Sequence, residues 1–173
     1  LSTGPRQTLA SVWGAIELFI NDVLIASLNQ APALAGLLIS KAPAKRHFQG
    51  RSPTMETLAD RGFDLSRSMG DILFSDRTIA SLEAMRDVFA VLAGSNHDLH
   101  CVLNEDALWL LWQRRHVVVH RGGIVDRVYC ERTGDRRQII GQPLAVSSSD
   151  VNSAFGSARR VATALLSGIP FSP

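Results

Sequence analysis

Residues 109–123 read Trp-Leu-Leu-Trp-Gln-Arg-Arg-His-Val-Val-Val-His-Arg-Gly-Gly and place two imidazoles and several guanidiniums within two helical turns. At about 100° per residue, His116 and His120 are neighbours on one face of a helix. Arg115 lies about 100° from His116 and about 140° from His120 by the same pitch, so all three border one wide patch. Imidazoles exchange protons near neutrality, and a guanidinium binds phosphate oxygens in a planar fork. Together they suit acid–base chemistry at a phosphodiester. A metal site competes, because an i, i+4 histidine pair is good zinc geometry. It lacks the glutamate of the metalloprotease helix, since Val117, Val118 and Val119 fill the interval. A third ligand would have to come from His100, Asp126 or Cys130. The plainest reading makes both histidines polar residues at a helix end, with His120 favoured by the C-terminal dipole.

The residues around this stretch say how it is held. Gly122-Gly123 predicts a left-handed C-cap, which puts His120 on the last turn. Asn104 is the expected N-cap, with Glu105 and Asp106 in the first turn. Leu108, Leu111, Trp112, Arg115, Val118 and Val119 are expected on the buried side, so that Arg115 emerges from an apolar face. Three further stripes predict helices over 7–29, 77–93 and 149–167. In the first, Val12, Ile16, Phe19 and Val23 are widened by Trp13, Ile20 and Leu24. Glu17 falls at its edge and is either a boundary residue or a partner for an arginine of the active helix. In the last, Ser148 or Ser149 caps a stripe of Val151, Phe155, Ala158, Ala162 and Leu165, ended by Gly168 and Pro170. Shorter helices are expected at 33–40 and 53–60, with residues 63–75 ambiguous and a turn at Ser95-Asn96-His97-Asp98. Residues 124–140 read as a loose hairpin or an ordered loop. The class expected is all-α: an antiparallel bundle of about five to six helices with a short irregular or hairpin insert before the last.

Composition narrows the functions. One domain over 1–173 is the simplest organisation, and a start at Leu1 without Met fits a piece of a longer protein. The net charge of +2 does not make a nucleic-acid binder, but between Arg114 and Arg137 seven arginines face three acids. Lys41 and Lys45 are the only lysines, and so general a preference for Arg reads first as genomic composition. Lys41, Lys45, Arg46, His47 and Arg51 form a basic loop, solvated by default and an RNA-backbone contact as the sharper alternative. His97, His100 and Cys101 match no zinc spacing. Two cysteines make no disulfide framework, which favours a reducing, cytoplasmic setting. No signal peptide is visible, and apolar runs interrupted by Glu17, Asn21 and Asp22 argue against a membrane partner.

Arg115-His116-Val-Val-Val-His120 resembles the signature of the HEPN superfamily, an Arg, a polar residue, three more residues and a His. The setting near a helix end, before Gly-Gly-Ile-Val-Asp-Arg-Val-Tyr and a final helix, is similar too, and the resemblance covers residues 103–167 best. It implies a helical bundle, usually a homodimer with two motif helices facing across a cleft. It also implies metal-independent endoribonuclease activity without a cofactor, of the kind found in toxin–antitoxin, CRISPR and antiphage systems. Other members bind RNA, nucleotides or a partner without cutting. Carried over, Arg115 would hold the phosphate, His120 would act as general base or acid, and His116 would position groups. Arg114 is the alternative motif arginine, and Arg114 and Arg121 are candidates for substrate contact. The expected partners are RNA, a second copy and a cognate antitoxin or regulator.

Overall fold

Leu9, Val12, Trp13, Ile16, Ile20, Val23, Leu24 and Leu28 recur at three- and four-residue steps, and all are buried along helix α1, Gly4–Gln30. The computed structural model describes residues 4–50, 53–75, 78–94 and 97–168. Within them nine more helices follow: α2 (Ala33–Ser40), α3 (Lys45–Phe48), α4 (Met55–Ala59), α5 (Met69–Leu73), α6 (Leu82–Leu92), α7 (His97–Leu103), α8 (Asp106–His120), α9 (Arg127–Thr133) and α10 (Ser148–Gly168). The class is all-α, as the periodicity predicts. Among the described residues there are ten helices rather than five or six, because α3, α5, α7 and α9 are helices of four to seven residues, too short to carry a readable stripe.

The helices gather into two compact units, Leu1–Ile16 with Asn104–Ala162 and Glu17–Leu103 with Thr163–Pro173. In the second, α2 packs on α3, α5 and α6, and α6 on α7. Asn21, buried, clamps the chain ahead of α6: its side chain donates to Ile79 O at 3.0 Å and accepts from Ile79 N at 2.8 Å. This holds Ile79 outside the helix, so α6 begins at Leu82 rather than near 77, with Ser81 accepting from Ala84 N as its cap. The spacing of 77–93 offers Met85 or Arg86 to its apolar stripe, and Met85 is the buried residue. Arg86 instead reaches Leu103 O at 2.8 Å, satisfying a carbonyl at the end of α7. His97 and Asp98 open α7 rather than forming a turn; Ser95 and Asn96 lie outside the described residues.

The basic loop is corrected in part. Arg46 bonds Glu83 and Asp87, and His47 Nε2 meets Asp87 Oδ2 at 2.6 Å. Burial pushes the Asp87 carboxyl up, but the bonds from His47 and Arg46 outweigh it and hold it below its usual range. Arg46 and His47 of the alternative RNA contact are thus engaged by carboxylates of α6, while Arg51 lies outside the described residues. Glu17 is half-buried at the edge of the core and makes no ion pair among the described residues. By length and composition α1 could cross a membrane, contrary to the expectation from its interruptions, since Arg6, Glu17 and Asp22 are its only charges. Its Trp13, Ile20, Leu24 and Leu28 are fully buried in the protein itself.

At Gly70, α5 comes against α1. Gly70 N donates to Asn29 Oδ1 at 2.7 Å, and a Cβ there would overlap Ile25 O. The obstacle is backbone, which cannot turn aside like a side chain. Gly70→Ala is therefore expected to destabilise by about 1–3 kcal/mol through overpacking. Urea unfolding measures this, and an unchanged midpoint would show that α5 is free to move.

Candidate active site at the end of helix α8

Helix α8 is seated by charge at one end and by a left-handed turn at the other. Glu105 occupies the N-cap position where Asn104 was expected, and its carboxylate accepts from Arg160 Nε of α10 at 2.9 and 3.0 Å. At the far end Arg121 N and Gly123 N both donate to Val117 O at 3.0 Å. Gly122 adopts φ +61, a conformation that a Cβ disfavours, so the anticipated glycine cap is the one present. His120 thus ends the helix. Beyond it, residues 124–140 keep the expected ordered loop over 134–140, but 127–133 form a helix where a hairpin would be extended. Asp126 caps α9 by accepting from Tyr129 N at 2.8 Å, and Gly134 closes it in the left-handed region. A single bridge joins Ile124 to Pro143. Weak alternation suggested extended chain, whereas the Asp cap and glycine stop were the informative residues.

The buried face of α8 keeps the expected Leu108 and Leu111 but takes different neighbours beyond them. Leu108, Leu111, Gln113, Arg114 and Val117 are buried, Arg115 and Val118 are half-buried, and Val119 is 50 % exposed. Arg115 does not face inward; Arg114 does, at 4 % exposure. Tyr129 of α9 and Leu144 close over Val117 and Val125, which fixes this rotation. The Arg114 guanidinium meets Asp150 at 2.9 Å and Asp135 at 3.3 Å. Arg137 bonds both of the same carboxylates, at 3.0 Å to Asp135 and 3.4 Å to Asp150. Burial raises the Asp135 carboxyl, but the bonds from Arg137 and Gln138 prevail and bring it to about 2. Arg114 Nε and the Tyr129 hydroxyl are buried without a hydrogen bond of good geometry, although the two groups interact electrostatically. Arg114 is therefore engaged in holding α8, the segment after α9 and α10 together, rather than presented to a substrate.

What the rotation leaves outside is the motif itself. Arg115 Nη1 donates to His120 Nε2 at 2.8 Å, and both His116 and His120 are exposed. A guanidinium only donates, so Nε2 is the acceptor and the imidazole proton sits on Nδ1. The His116 and His120 rings are 4.7 Å apart between centroids, tilted by 48°. Arg121, exposed next to them, is bonded to Asp126 at 3.1 Å. The structure thus joins Arg115, His116 and His120, sets Arg121 at their edge, and removes Arg114.

Partial burial, then His120 whenever it is protonated, and the charges of Arg121, Arg115 and Arg132 hold His116 below the usual histidine value of 6.5. The sign is that of a group surrounded by cations: its neutral form is favoured, as a proton acceptor requires. His116 should titrate below 6.5 by NMR, and Arg121→Gln should move that titration upward by removing a positive neighbour. An unmoved midpoint would show that Arg121 is too far away or too well screened to matter. The same field opposes a cation. Among the described residues no three His, Cys, Asp or Glu side chains converge as metal ligands, and Arg115 already occupies His120 Nε2. His97 and Cys101 are a second exposed pair, with Nε2 to Sγ at 3.4 Å on α7.

Two arginines near the site were not singled out by the spacing, although Arg132 belongs to the arginine-rich stretch from 114 to 137. Arg132 acts on His116 from α9, and Arg6 of α1 lies against Gly123, with atoms 3.7 Å from where a Cβ would stand. Neither is near the motif in sequence terms that periodicity could exploit; the Asp126 cap was the one signal that would have placed Arg132 on a helix. Comparison with family models, curated proteins and solved structures finds no match to this chain.

Proposed function

We propose that the protein is a metal-independent endoribonuclease of the HEPN type, and that Arg115, His116 and His120 form its active site. The observation that carries this reading is the Arg115–His120 bond beside His116 at an exposed, capped helix end. It supports the reading because a guanidinium and two imidazoles stand close enough for one ligand to touch all three. In the proposed reaction Arg115 leaves His120 for a non-bridging phosphate oxygen, which frees Nε2. A neutral imidazole then takes the proton of the ribose 2′-OH, and that oxygen attacks the adjacent phosphorus. The bond to the 5′-oxygen breaks as a protonated group supplies its proton. The products are a 2′,3′-cyclic phosphate and a 5′-OH. His120 is the base or acid, His116 the positioning group, and Arg121 a substrate contact.

Two proton roles strain one small set of groups, which favours a homodimer with two motifs lining one cleft. A toxin or antiphage role in the cytoplasm, with an antitoxin or regulator as partner, belongs to the same proposal. The test joins light scattering with cleavage of an RNA and its 2′-deoxy counterpart. A dimer that cuts the RNA and leaves the deoxy strand intact is expected. A monomer with full activity would refute the shared cleft, and scission of the deoxy strand would refute 2′-OH attack. A second reading, a non-catalytic binding module, draws on the same bond: while Arg115 occupies Nε2, His120 cannot accept a proton. Tight RNA binding without cleavage would favour it.

A further inference from the structure

Helix α9 packs on α8 through Tyr129, which shares a buried cluster with Val117. His116 precedes Val117 in α8, and Arg132 follows Tyr129 by three residues, almost one turn of α9. Both side chains are exposed. Along α8, Arg115 and Val117 lie to opposite sides of His116, about 100° each way. Helix α9, which carries Arg132, packs on the Val117 side and so stands away from the Arg115 Cα. The Arg132 charge is felt at His116, since it belongs to the cations that disfavour protonated His116. Arg121 is bonded to Asp126 and Arg115 to His120, whereas Arg132 has no carboxylate partner among the described residues. Uncompensated cations around two imidazoles repel one another, and a bound anion relieves that repulsion.

We propose that Arg132 binds a second phosphate, on the far side of His116 from the phosphate held by Arg115, so that the site takes an oligonucleotide backbone rather than a mononucleotide. The placement of the scissile phosphate on Arg115 rests on the reading given under Proposed function; the phosphate contact of Arg132 does not need cleavage to occur. Deoxythymidine strands are the probe, because they carry the phosphates and lack the nucleophile. Fluorescence anisotropy of a labelled short oligomer and of the dinucleotide, over a range of salt, reads the contact on the full chain. Arg132→Gln should weaken the oligomer several-fold and reduce the slope of log K against log salt by about 0.7, the value for one phosphate on a single strand. It should leave the dinucleotide, with one internal phosphate, unchanged, and Arg136→Gln, another exposed arginine, should alter neither. Equal affinity and slope in Arg132→Gln and the native protein would overturn the proposal, as would an equal loss with the dinucleotide or with Arg136→Gln. Native protein that binds the oligomer through Arg132 yet cuts no RNA would remove the proposed reaction and leave the contact standing. Native protein that does not bind the oligomer would overturn the contact itself.

Discussion

His120→Ala is expected to lower RNA cleavage by about 10²–10⁴-fold, the usual worth of a positioned acid or base, while the protein stays folded. Its ring is exposed on the last turn of α8, and among the described residues its hydrogen bond is to Arg115, itself half-buried. Nothing in the core depends on it, so the effect on stability should stay within about 0.5 kcal/mol. Arg115→Ala should also be strongly impaired, because the phosphate would lose its fork of donors. His116→Ala should be milder than His120→Ala if it only positions groups. Cleavage at the native level by folded His120→Ala would remove the histidine from the reaction.

Arg114→Met is expected to act on folding instead. Arg114 is buried against Asp135 and Asp150, and removing one partner of a buried ion pair costs about 3–5 kcal/mol, since the other charge stays behind. Arg137 still bonds both carboxylates, which places the expectation at the lower end. Chemical unfolding measures it. The motif register alone made Arg114→Ala the gentler substitution beside Arg115→Ala; its burial predicts the reverse for stability and loss of activity only through unfolding. The same network sets an acid limit. With Asp135 held at about 2 against 3.8 for a free carboxyl, its contribution is complete above about pH 4 and disappears as pH falls through about 2. An Arg114→Met protein as stable as the native one, but inactive, would put Arg114 at the substrate.

Amphipathic stripes carried much of the fold into view. The repeat from Leu9 to Leu28 and the Thr54 cap of α4 are local signals, and helices stand where they point. The faces of α8 and α10 were less legible. Val117, not Val118 and Val119, is buried in α8, and in α10 the buried residues are Ala154, Ser157, Val161, Ala164 and Leu165, with Phe155 55 % exposed. Two adjacent positions on a helix differ by about 100°, and short valine or alanine runs cannot say which of them meets the core. The cap of α10 shifts by one for a similar reason: Ser147, not Ser148 or Ser149, exchanges hydrogen bonds with Asp150. Gly168 is the last residue of α10, and Pro170 lies outside the described residues. The spacing of His116 and His120 and the Gly122 cap were readable because they are set by the helix itself. Arg114's carboxylates and Arg132's approach to His116 come from residues about 15 to 36 positions away, which no periodicity encodes.

Incubation of the native protein with labelled RNA in excess EDTA, followed by determination of the fragment ends, tests metal-independent attack by the 2′-OH most directly. Cleavage is expected to persist in the chelator, to leave 2′,3′-cyclic phosphate and 5′-OH ends, and to be absent from folded His120→Ala. Intact RNA in EDTA with cutting restored by zinc, or no cutting by the native protein under any condition, would contradict this mechanism.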